Sequence, residues 1–275
     1  MLQEQSKLDE ARPLLEEALA GKRGSHGDTH PDTLRSIGNL GTLLQAQGKL
    51  EEARPLLEEA LAGNRETLGD DHPNTLRFIG NLGMLLQAQG KFKKALQQLE
   101  EALAGMRQSL GDTHPDTLKS MNNLGQLFKA QRRLDDARPL LGEALAARRE
   151  TQGNKHPDTL DSINNLASVL KAQGELDEAR PLYEEALAGM REMRGDKHPS
   201  TLISINNLGS LLKTQGKLDE AESAFIEAVD GFQEVLGKDH PHTCAAEKGL
   251  RKVRNRQHVL RYAKRNAATT AWHNL

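Results

Sequence analysis

The chain has 275 residues, 28% of them charged and 36% hydrophobic, with a net charge of −2 at pH 7 and one cysteine. A single cysteine excludes an internal disulfide framework and fits a reducing, cytoplasmic setting. The sequence holds no apolar run long enough to cross a bilayer, and its first residues lack the basic-then-apolar pattern of a secretory leader.

His-Pro pairs punctuate the chain at His30, His72, His114, His156, His198 and His240, each 42 residues after the last. A fixed period in this range signals stacked repeats, each one touching only its neighbours. The pairs divide the chain into a partial repeat at 1–29, five complete repeats at 30–239, and a closing segment at 240–275. Charge is uneven across this division. Residues 240–275 hold eight lysines and arginines against Glu247 alone, a net +7, which leaves −9 on the body.

The first segment aligns with the copy beginning at Leu43, so Met1 falls in the last turn of one helix and a second runs from about Leu8 to Lys22. Its apolar side, Leu8, Ala11, Leu15 and Ala18, is expected to be partly uncovered. That pattern suggests a fragment of a longer protein, or an array that self-associates through its half-repeat. In the first complete unit, Ile37, Leu40, Gly41 and Leu44 recur at helical spacing and predict helix A over Pro31–Ala46. Pro31 suits a first helical turn. Gln47-Gly48-Lys49 breaks the pattern, and Ala53, Leu57, Ala60 and Leu61 predict helix B over Leu50–Leu68. Pro55 is expected to remove one hydrogen bond from helix B. Gly41, Ala53 and Ala60, with their counterparts in later units, mark where helices approach closely. In the closing segment Leu250 keeps its place, but Glu247 and Arg251 replace apolar or small residues. A capping helix with a basic outer face over 242–265 and a frayed tail over 266–275 are expected.

The pattern Ile37-x2-Leu40-Gly41-x2-Leu44, then Ala53-x3-Leu57, then Ala60 resembles the tetratricopeptide repeat. The 42-residue length, the NNLG segment and the LGDxHPxTL linker are similar to the kinesin light chain type of that repeat. The resemblance implies an all-α fold, a right-handed α-solenoid of antiparallel helix pairs. It also implies a non-catalytic adaptor or scaffold that holds peptide segments in a concave groove lined by helix A.

Positions 35, 38, 39, 42 and 45 form one stripe on helix A, and the resemblance places it in the groove. Every complete unit offers an asparagine there, Asn39, Asn81, Asn123, Asn165 and Asn207, and the last three add Asn122, Asn164 and Asn206. An amide both donates and accepts, so such a ladder can pair with a peptide backbone. It can equally tie helix A to the next unit. Arg35, Arg77 and Lys119 begin the stripe in the first three units, and Lys129, Lys171 and Lys213 end it in the last three. Cations in an acidic body suggest an acidic peptide partner, although a solvated helix face would read the same. Asp161 and Ile203 interrupt the ladder.

No phosphate loop, nucleophile elbow or zinc-protease motif occurs, and every polar cluster recurs with the unit, so the sequence predicts no enzyme, cofactor or small-molecule substrate. The spaced histidines read as loop structure rather than metal ligands. The basic tail could meet RNA, an anionic membrane or an acidic partner. It lacks the interleaved aromatics of single-strand binders and reads more simply as a charged cap. An alternative role is the sensor or scaffold part of a larger multidomain protein, such as one linked to an NTPase.

Overall fold

In a computed structural model, the structure describes the backbone of residues 2–273 and the side chains of residues 10–263. Twelve helices follow one another, with no strand among the described residues: α1 (Leu2–His26), α2 (Pro31–Ala46), α3 (Leu50–Leu68), α4 (Pro73–Ala88), α5 (Phe92–Leu110), α6 (Pro115–Ala130), α7 (Leu134–Gln152), α8 (Pro157–Gln173), α9 (Leu176–Arg194), α10 (Pro199–Gln215), α11 (Leu218–Leu236) and α12 (Pro241–His273). The chain divides into two compact units, Gln5–Val169 and one centred on Leu170–Leu275.

Within Gln5–Val169, α2 packs on α3, α3 on α4, α4 on α5, α5 on α6 and α6 on α7. Helices A and B of the first repeat keep the limits expected from periodicity. The small residues explain the close stacking. Ala53, Ala60, Ala95, Ala102, Ala137 and Ala144 are wholly buried, and a methyl at Gly41 would stand 2.9 Å from Leu57. Leu57, Leu99 and Leu141 repeat as the central side chain of each hairpin. Within Leu170–Leu275, α9 packs on α10, α10 on α11, and α11 on α12. Tyr183 and Phe225 take the central places there. Helix B continues through Pro55, Pro139 and Pro181 without ending.

The repeated histidine is a helix cap. Its backbone is extended, held so by the following proline, and its Nδ1 accepts from the backbone N–H two residues on. His30 takes this bond from Asp32 at 3.2 Å, His72 from Asn74 at 3.1 Å and His114 from Asp116 at 3.2 Å. His156, His198 and His240 repeat it. Each bond satisfies one otherwise orphaned N–H of helix A. His114→Ala should therefore cost about 1 kcal/mol of stability, whereas His114→Asn, which keeps an acceptor, should cost little. Urea denaturation of the two variants checks this.

Two expectations are corrected. The break expected near Ser6 does not form, and α1 is continuous from Leu2. Later units place Gly48 (φ 75°) and Gly90 (φ 72°) there, a left-handed conformation that serine adopts at a cost. Arg132 accepts that conformation at φ 63° in the third unit, between the packed helices α6 and α7. The frayed tail expected from 266 is helical to His273 in α12; residues 274–275 lie outside the described residues. The side chain of Leu8 is likewise outside them, while Ala11 and Leu15 are half-buried and Ala18 is exposed.

Candidate peptide-binding groove

Helices α2, α4 and α6 align their stripes side by side. Arg35, Asn39, Arg77, Asn81 and Lys119 line one groove of about 340 Å³, together with Gly38, Thr42 and Phe78. Three cations and two amides from three successive A helices thus face a common space. Arg35 pairs with Asp32 at 2.8 Å, yet its side chain remains 60% exposed. The Arg77 guanidinium sits 5.7 Å from the centre of the Phe78 ring, and Lys119 is exposed.

The other expected residues are placed differently. Asn122 is buried. Its amide nitrogen donates to the Leu118 carbonyl at 3.1 Å and to Ser162 Oγ at 2.9 Å, and its oxygen accepts from Asn165 at 3.3 Å. Asn122 thus joins α6 to α8. Asn123, Asn164 and Asn165 are half-buried. Lys129 is recessed, and burial pushes its ammonium pKa down. Lys171 donates to Ser210 Oγ at 2.6 Å. Lys213 lies 5.9 Å from the Phe225 ring centre, its pKa lowered by burial first and by Lys252 second. Lys171, Lys213, Asn206 and Asn207 belong to the Leu170–Leu275 unit, where the two asparagines are half-buried.

The cation ladder stops at Asp161 for a local reason. Arg148, buried in α7, donates to the Asp158 carbonyl, and its pKa is lowered by burial and raised by Asp158 and Asp161. An acid at 161 faces a buried cation that the earlier repeats lack, since Asn64 and Met106 fill that place.

One residue that shapes the groove escapes the sequence stripe. Phe78 stands where Ser36, Ser120, Ser162 and Ser204 stand in other units. Its ring occupies the room above Gly38, where an added methyl would collide with it. The same junction is filled by the Asn122–Ser162 bond one unit-pair later. The lone phenylalanine in a run of serines was the signal for it.

Among the described residues no three His, Cys, Asp or Glu side chains converge as metal ligands, and no helix is long and apolar enough to cross a membrane. His240 and His242 lie 5.1 Å apart, and His242 stacks on Phe232.

No curated protein matches the chain. A solved structure from Podosopora anserina, assigned as a kinesin light chain with nearly identical TPR-like repeats, is 29% identical, with a TM-score of 0.60 over 75% of this chain and 98% of that one. A second structure under the same description, also 29% identical, gives 0.62 over 74% and 97%. The BtubC (BKLC) structure from P. vanneervenii shares the fold at 22% identity, with a TM-score of 0.66 over 85% and 94%. The chain has the repeat scaffold of the kinesin light chain type. The tetratricopeptide repeat model matches overlapping segments from residue 1 to residue 250, at 1–66, 38–108, 79–150, 128–192, 158–234 and 200–250, and the chain belongs to that family.

Proposed function

We propose that the chain is a non-catalytic interaction module that holds an acidic peptide segment along its A helices, as a cytoplasmic adaptor or scaffold. The observation that carries this reading is the convergence of Arg35, Arg77 and Lys119 with Asn39 and Asn81 on one groove. Asparagine amides pair with the peptide backbone, and the cations meet acidic side chains and speed encounter. Helices already ordered before binding lower the entropic cost on the protein side.

Binding of a library of acidic and neutral peptides, followed by fluorescence anisotropy, tests it. Arg35→Glu/Arg77→Glu should weaken acidic peptides by about tenfold or more, and added salt should do likewise. Asn81→Ala should lower affinity, whereas Asn122→Ala should lower stability, because its amide is committed inside the fold. Equal binding of acidic and neutral peptides, unchanged by the arginine reversals, would overturn the assignment.

A further inference from the structure

The second repeat breaks the pattern of its siblings at the corner where helix B begins. The other complete units open that helix with an acidic pair, Glu51-Glu52, Asp135-Asp136, Asp177-Glu178 and Asp219-Glu220, where the second carries Lys93-Lys94. Helix α5 therefore has no acid in its first turn, and its lysines face the positive end of the helix dipole, an unfavourable placement. A cross-repeat ladder is broken at the same point. Arg12 reaches Glu52 at 3.1 Å and Arg180 reaches Glu220 at 3.2 Å. Lys94 stands where Arg54 would meet an acid, and Arg54 instead pairs with Glu58 in its own helix at 2.7 Å. Among the described residues neither Lys93 nor Lys94 has an ion-pair partner. Beside the lysines stands Phe92, 38% exposed, where the siblings place Leu50, Leu134, Leu176 and Leu218. The corner is an aromatic knob flanked by Lys91, Lys93 and Lys94.

The fourth repeat has the opposite corner. Glu175 replaces the cation found as Lys49, Lys91, Arg133 and Lys217 in the other units. The result is an open hollow of about 550 Å³, lined by Gly174, Leu176 and Gln215 and rimmed by Glu175, Asp177 and Glu178, with Lys217 as its one base.

We propose that the Lys91–Lys94 corner of one copy docks into the Gly174–Glu178 hollow of a second copy. Phe92 enters over Leu176, and the lysines meet Glu175 and Asp177 on the rim. Lys91 donates to Gln89 at 2.9 Å, which leaves its ammonium two further donors. The occupant is a second copy because both complements belong to this chain, and each sits where one repeat abandons the residues its siblings share. Such a contact is heterologous: every copy offers one knob and one hollow, so assembly either closes into a ring or extends. Neither the knob nor the hollow includes a residue that lines the groove of α2, α4 and α6.

Sedimentation velocity of the full chain across a concentration series, at low and high salt, tests the contact. The mean mass should rise with concentration and fall with salt. Lys93→Glu/Lys94→Glu should weaken association about tenfold or more, and Glu175→Lys/Asp177→Lys should do the same. Mixing the two variants should restore association, because each then presents charges that the other complements. Phe92→Leu, which installs the sibling residue, should weaken association with the charges intact. All these residues are on the surface, and unchanged thermal melts verify folding. A chain that stays monomeric throughout, or association that persists in either charge variant, would overturn the proposal. So would failure of the mixture to associate.

Discussion

Phe225→Ala should destabilise the Leu170–Leu275 unit by about 3–5 kcal/mol, the cost of emptying a large buried aromatic site. Phe225 is 2% exposed and clusters with Leu212, Leu218, Ala221 and Val253. Its ring lies 3.5 Å from where a methyl on Gly209 of α10 would stand, and it fills the room that a methyl on Gly249 of α12 would need. One side chain therefore joins three helices. Its loss should loosen α12 more than α9, so hydrogen exchange should show the largest drop in protection over residues 245–257. Phe225→Leu, matching Leu57, Leu99 and Leu141 elsewhere, should cost less than half as much. Uniform loss of protection across α9–α12 would show that the ring is not the local link.

The second large effect depends on sign. Gly38→Ala should destabilise by about 1–3 kcal/mol, because the new methyl meets the Phe78 ring and overpacks the junction. Gly80→Ala, one unit later, should instead stabilise by about 0.5–1 kcal/mol. Its methyl finds only Ala102 Cβ at 3.8 Å, and alanine removes the helix penalty of glycine. The two glycines are equivalent in sequence, so the difference isolates the ring. In a Phe78→Ser background the effect of Gly38→Ala should change sign, and a double-mutant cycle by chemical denaturation measures that coupling. If both alanines stabilise, the Gly38–Phe78 contact is not a tight one.

The hairpins were legible in the sequence because their signals are local and repeated. The 42-residue spacing, the proline after each histidine and the alanines of helix B fix where elements begin and which faces meet. What stayed hidden depends on the neighbouring unit. The alternation Ile37, Leu40, Leu44 places Gly38 and Asn122 on the outward stripe, but the next A helix covers that edge. Asn122 is consequently buried on Ser162, whereas Asn39 remains exposed. Side chains 42 residues apart carry no mark of their contact within a single helix. The histidine cap was hidden differently: position alone suggests loop structure, and only the ring orientation shows that Nδ1 accepts a backbone proton.

The paired fillings at the unit junctions bear on how such a chain can evolve. Gly38 opposes Phe78, Gly80 opposes Ser120 and Asn122 opposes Ser162. Unequal recombination that duplicated the second unit would set Gly80 against a new Phe78, a compatible match. Its deletion would set Gly38 against Ser120, which repeats the existing Gly80–Ser120 pairing. Transposing the second unit to follow the third would drive Asn122 into the phenylalanine ring. Copy number can therefore drift in the lineage while the order of copies is inherited under constraint, in one direction only.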